Sequence, residues 1–186
     1  MSEGKLFVVS GASGVGKGTV LKAVLEARED LKFSVSATTR PPRPTEVEGV
    51  HYYFITTEEF EGMIQRDEFL EYDCHAANYY GTPVNQLEEK LACGHVILDI
   101  EPKGAEIVHK KRPDATLIFV MPPSMEELER RLRGRGDTSE EQIALRLKRA
   151  EWEMEQRSWY DYVVVNDKLE DCVEDVLKII AQEADK

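Results

Sequence analysis

Several stretches of the chain are apolar almost without interruption, and between them the apolar residues recur at helical spacing. Leu6-Phe7-Val8-Val9, His95-Val96-Ile97-Leu98-Asp99-Ile100, Thr116-Leu117-Ile118-Phe119-Val120 and Tyr162-Val163-Val164-Val165 have the length and β-forming composition of buried strands. After the first strand, Val20, Leu21, Val24 and Leu25 give residues 17–28 one apolar face. A helix is predicted over 84–93, ending at Gly94, and another after the second strand, stopping before Pro113. Ser124 with Glu127, and Thr138 with Glu141, form capping-box patterns that start two helices around Gly134-Arg135-Gly136. Cys172, Val173, Val176, Leu177 and Ile180 give the last helix its stripe. Strands apolar on both sides and separated by helices predict an α/β, three-layer fold around a central parallel sheet. Ligands belong at the carboxyl ends of such strands.

Residues 34–83 break that rhythm. Phe33-Ser34-Val35-Ser36 reads as a short strand. Pro41, Pro42 and Pro44 then forbid helix, because proline lacks the N–H and clashes with a helical backbone. Tyr52-Tyr53-Phe54-Ile55 returns to strand, Thr56 and Glu59 cap a helix through Met63 and Ile64, and Phe69-Leu70-Glu71-Tyr72 and Asn78-Tyr79-Tyr80 are two more strands. The segment is predicted to be a small, mainly β insertion.

Gly11, Gly14 and Gly16 separate the first strand from its helix, and Lys17 opens that helix. Strand, glycine loop, lysine and helix together make a phosphate cradle: glycines let backbone N–H groups turn inward, and the helix end and the lysine add positive charge. Gly18 stands where the usual pattern has Ser or Thr. A hydroxyl for magnesium must then come from Thr19, or water takes its place.

At 186 residues the chain suits one domain with insertions. No stretch approaches the ~20 apolar residues of a membrane span, so no membrane partner is expected. The N-terminus runs into a strand without a signal-peptide pattern, which makes the cytoplasm the expected location. Cys74, Cys93 and Cys172 are too scattered for a disulfide framework or a zinc site, and each is read as a small buried hydrophobe. A formal net charge of −12 argues against nucleic acid. The arginines nevertheless cluster, Arg40 with Arg43, and Arg130, Arg131, Arg133, Arg135, Arg146 and Arg149 together. Such clusters suit a small anionic ligand, the alternative being helix faces paired with Glu126, Glu127, Glu129 and Glu151. A homo-oligomer is compatible with all of this.

The motifs GASGVGKGT, SATTRPPRPTEVEGVHYYF, FLEY, NYYGT, LDI, GRG with ALRLKRA, and YVVVN jointly resemble guanylate kinase, a family of P-loop nucleoside monophosphate kinases, over about residues 6–169. The resemblance implies ATP-dependent phosphorylation of GMP (and dGMP) to GDP with magnesium. It implies a core of residues 1–33, 84–120 and 151–186, a GMP-binding region over 34–83 and a helical lid over 121–150. It places ATP on Gly11, Ala12, Ser13, Gly14, Val15, Gly16, Lys17, Gly18, Thr19, Arg131 and Asn166. GMP falls to Ser36, Arg40, Arg43, Tyr52, Glu71, Tyr80, Thr82 and Asp99, and catalysis to Lys17, Arg40, Arg135 and Arg146. The residues suit the chemistry: arginine forks match phosphate oxygens, and a carboxylate matches the N1 and N2 donors of guanine. Ala12, Ala76-Ala77 and Glu101-Pro102-Lys103 depart from the family pattern. The rivals are a catalytically inert interaction module of the same fold, disfavoured by Lys17 and the arginines, and a kinase for another monophosphate, disfavoured by the guanine set.

Overall fold

The computed structural model describes residues 4–75, 77–134, 139–184 and 186. β1 (Leu6–Gly11), buried along its whole length, is the middle strand of a five-stranded sheet. β7 (His95–Asp99) and β8 (Thr116–Met121) flank it, and β2 (Leu31–Phe33) and β9 (Tyr162–Val165) form the edges. Every pairing in the order β2-β7-β1-β8-β9 is parallel.

Side-chain alternation along these strands divides the core in two. Phe7, Val9, Ile97, Ile118 and Val120 pack under α1 (Lys17–Ala27) and α7 (Leu169–Ala184), meeting Val20, Leu21, Val24, Cys172, Val176 and Ile180. Leu6, Val8, Val96, Leu98, Leu117 and Phe119 face the other way, onto α3 (Val84–Leu91) and α4 (Pro102–Lys111). Side chains of this size each contribute about 1.5–3 kcal/mol when fully buried. With both faces covered except at the β9 edge, where Val163 and Val165 are exposed, the open end of the sheet is its carboxyl edge, where β1 turns into the glycine loop and β7 ends at Asp99.

The second sheet has the order β4-β3-β6-β5, from β3 (Ala37–Thr38), β4 (Tyr53–Phe54), β5 (Phe69–His75) and β6 (Asn78–Pro83). β3 and β4 run parallel and the other pairs antiparallel. α2 (Thr57–Gln65) closes its small core, with Phe60 stacked between Phe69 at 4.2 Å and Tyr79 at 5.0 Å. Thr56 caps α2 as expected, accepting the Glu59 N–H.

The expected strand over 33–36 is divided. Ser34 donates its N–H to Ile97 in the first sheet, while the Ser36 carbonyl accepts the Tyr53 N–H in the second, so residues 34–36 are the crossing between sheets. α5 (Met125–Arg133) starts at the Ser124 cap as predicted. The cap of α6 (Glu140–Glu155) is Ser139, whose Oγ accepts the Gln142 N–H, and not Thr138, which lies outside the described residues. The helix expected over 84–93 stops at Leu91. Only Cys172 is a buried hydrophobe. Cys74, near the free end of β5, and Cys93, in the turn after α3, are exposed. Among the described residues no helix is long and apolar enough to cross a membrane.

Candidate active site

The glycine loop follows β1 and ends in α1. A Cβ on Gly11 would sit 2.3 Å from the Val120 carbonyl oxygen, so β8 can approach only a glycine there. Gly14 and Gly16 take φ of 84° and 94°, values that side chains disfavour. Gly16 is the residue before α1, and this left-handed turn leads into the first N–H groups of the helix. Asn166, just past β9 and 7% exposed, holds the loop from behind: its Nδ2 donates to the Val15 carbonyl at 2.8 Å. Glu153 on α6 holds it from the side, accepting the Ser13 N–H at 2.8 Å.

Residues 11–19 line one wall of a cavity of about 710 Å³, and Gln142, Leu145, Arg146 and Arg149 of α6 form the opposite wall. Thr19 is exposed within it, and a Cβ on Gly18 would touch nothing within 4 Å. Arg131 does not line this cavity. It is bound to Glu127 and to the carbonyls of Asn166 and Asp167, which ties α5 to the segment after β9. Arg135 lies outside the described residues.

A second cavity of about 310 Å³ opens beside the first and shares Lys17, His75 and Glu101 with it. Ser36, Tyr52, Glu71, Tyr80 and Asp99 line it, together with Asp73 and Gly104. Lys17 Nζ is paired with Asp99 Oδ1, which sets an ion pair at the junction of the two spaces. Glu71 is 6% exposed and accepts the Thr82 hydroxyl at 2.6 Å. Burial pushes its pKa up to about 7, against the pull of the Thr82 hydrogen bond. Gly104 of α4 leaves room for this carboxylate, since a Cβ there would lie 2.7 Å from Glu71 Oε2.

Arg40 stands next to this cavity, its guanidinium 5.5 Å from the centre of the Tyr52 ring, which in turn meets Tyr80 edge to face at 6.0 Å. Glu46 takes both Nη groups at 2.9 and 2.8 Å, raising the Arg40 pKa, while its own carboxyl is held down to about 2. Arg43 is exposed and gives Glu46 its backbone N–H at 2.7 Å. The structure thus gathers Ser36, Tyr52, Glu71, Tyr80 and Asp99 around one cavity, buries Thr82 behind it on the Glu71 carboxylate, sets Arg40 at its margin and leaves Arg43 at the surface.

Sequence reasoning did not single out Glu46, Gly104 or Glu153. A signal existed for Glu153, because Ile143, Ala150 and Glu153 fall on the buried stripe of α6. A carboxylate on such a stripe needs a partner inside the protein.

The guanylate kinase family model matches residues 3–183. A guanylate kinase of Thermus thermophilus is 52% identical over 181 residues, covering 97% of this chain and 82% of the relative. One from Haemophilus influenzae is 49% identical over 187 residues, covering 98% and 90%. The crystal structure of guanylate kinase from Anaplasma phagocytophilum superposes with a TM-score of 0.81 at 35% identity, over 100% of this chain and 88% of that one. A shikimate kinase from Bacteroides thetaiotaomicron shares the fold alone, with a TM-score of 0.53 at 14% identity, covering 97% of this chain and 99% of its own. These matches run through the glycine loop, both cavities and the helices that wall them, and the chain belongs to the guanylate kinase family of nucleoside monophosphate kinases.

Proposed function

We propose that this chain transfers the γ-phosphoryl group of ATP directly to the phosphate of GMP, the two nucleotides meeting end to end at Lys17. The observation that carries this reading is the pair of adjoining cavities that share that lysine, one walled by backbone of a glycine loop and one by Glu71. The loop N–H groups and Lys17 hold the ATP phosphates, with Asn166 steadying the loop near the adenine side. Arg40, Tyr52 and Tyr80 receive the GMP phosphate, and Arg43 reaches it from the surface. Glu71 and Asp99 accept from the guanine N1 and N2 groups, the Ser36 hydroxyl serves O6, and Thr82 takes part in GMP binding through its hydrogen bond to the Glu71 carboxylate.

The attacking phosphate needs no general base, since a phosphomonoester's second pKa is ~6. Catalysis is positioning plus neutralisation of charge on the transferred group. Arg146 lies across the cavity from the loop and, with Arg135, supplies that charge. Thr19 fits a magnesium ion carried mainly by ATP: its hydroxyl is the oxygen donor one step past Gly18, in the wall of the phosphate cavity. Bound there, the ion would neutralise phosphate oxygens. Residues 34–83 form the GMP-binding part and residues 121–150 the lid.

A coupled assay of GMP, dGMP, AMP, CMP and UMP with MgATP tests the reading. GMP is expected to be preferred over AMP by about 100-fold or more, because adenine leaves the Glu71 carboxylate unpaired. Preference for any other base refutes it.

A further inference from the structure

Two charged residues of α6 have no task in the reaction as described, yet both face it. Glu153 is 2% exposed, and each of its oxygens is engaged: Oε2 by the Ser13 N–H of the glycine loop at 2.8 Å, Oε1 by Arg149 Nε at 2.9 Å. Arg149 continues to the Glu101 carboxylate just before α4. Its Nη1 also lies within 3.5 Å of the His75 ring at the end of β5.

A carboxylate hydrogen-bonded to a phosphate-binding loop needs an explanation, because it repels the polyanion the loop receives. It removes one N–H from the set available to phosphate, and so fixes which way the Ser13 peptide points. The next residue is Gly14 at φ 84°, a backbone free to rotate if that peptide is released. The carboxylate can remain beside bound phosphates only if its charge is cancelled locally, since breaking a buried pair leaves an uncompensated charge. Arg149 is in place to do so, and its spread over Glu101 and His75 fixes the guanidinium.

Resting on the assignment of the loop to ATP, we propose that Glu153 is a positioning residue that aims the donor loop through the Ser13 N–H, with Arg149 as the counter-charge that makes this carboxylate compatible with bound phosphate. Neither residue touches the reacting atoms. Their effect falls on ATP and on turnover, and not on GMP.

Steady-state kinetics on four variants separate this from a structural ion pair. Glu153→Gln keeps an oxygen for the Ser13 N–H and should hold kcat within about threefold, whereas Glu153→Leu should lower it about tenfold or more. Arg149→Gln should raise the KM for ATP about tenfold with the KM for GMP within about twofold. The double variant Arg149→Gln/Glu153→Gln, again neutral, should recover most of that loss, a non-additivity expected only of coupled charges. An ATP KM that Arg149→Gln leaves unchanged, a double variant no better than the single, or Glu153→Leu matching Glu153→Gln overturns the proposal. Should Arg149→Gln not fold, Arg149→Lys and the double variant decide: ATP KM within about threefold of native supports it, and a rise above about tenfold in either overturns it. Native protein inactive toward GMP would instead defeat the ATP assignment itself.

Discussion

Replacing Glu71 by Gln should strengthen the ligand-free protein and weaken its hold on GMP. Burial raises the Glu71 carboxyl from 4.5 to about 7, so the folded protein binds this proton more tightly than the unfolded chain does. Between those two values the folded state carries the extra proton, and stability contributed by this group falls as pH rises. Above about pH 7 the buried carboxylate is ionised, and the accumulated cost is about 3 kcal/mol at 1.36 kcal/mol per unit. Gln keeps an oxygen to accept the Thr82 hydroxyl and never ionises. At pH 8 the variant should therefore melt roughly 6–12 °C above the native protein, on the scale of 2–4 °C per kcal/mol for a chain of this size. Near pH 4 the gain should vanish. Binding moves the opposite way, because an amide offers guanine one acceptor and presents a donor to N1 or N2. Loss of charged hydrogen bonds worth about 1.5–3 kcal/mol lowers GMP affinity by roughly 10- to 150-fold, with ATP affinity unchanged. Differential scanning calorimetry at the two pH values and titration calorimetry with each nucleotide measure both. A melting difference that does not grow with pH, or GMP bound as tightly as before, refutes the reasoning.

Three other substitutions probe the frame around the site. Gly18→Ser places its Cβ in open space, so it should fold and keep kcat within about threefold in the coupled assay. Asn166→Ala strips the Val15 carbonyl of its partner and should cost about 1–3 kcal/mol by urea denaturation, with a raised KM for ATP. Ala77 turns the chain between β5 and β6 at φ 62°, a conformation that favours glycine, and Ala77→Gly should stabilise the protein by about 1 kcal/mol in the same measurement.

Four strands of the central sheet, β1, β7, β8 and β9, were legible in sequence because each is an apolar run followed by a helix or a turn, whereas the edge strand β2, Leu31-Lys32-Phe33, is short and interrupted by a lysine and was not. The glycine loop was legible because lysine follows glycines whose spacing has a backbone reason, seen at Gly11, Gly14 and Gly16. The crossing at residues 34–36 was not, because Phe33-Ser34-Val35-Ser36 has strand composition and only partners distant in the chain, Ile97 and Tyr53, decide where each sheet begins. The same limit applies to the site. Glu71 stood out as a carboxylate in an apolar run, and its partner Thr82 lies across a strand pair. Arg131 looked equivalent to its neighbours, and only the fold shows it engaged with the Asn166 and Asp167 carbonyls. Glu46 belongs to a loop with no periodicity, so nothing local marks it as the partner of Arg40.

Lys17 and Asp99 form one ion pair where the two cavities meet, and on the proposed assignments that pair ties the occupancy of one subsite to that of the other. While both are empty, the lysine and the carboxylate satisfy each other. A polyphosphate that draws the ammonium toward the loop releases the carboxylate to a guanine amino group, and a guanine that captures the carboxylate frees the ammonium. Thermodynamic reciprocity requires the two effects to be equal in size. On the proposed assignments, then, whichever substrate arrives first prepares the ground for the second, and the resting protein guards its own charges until one of them comes.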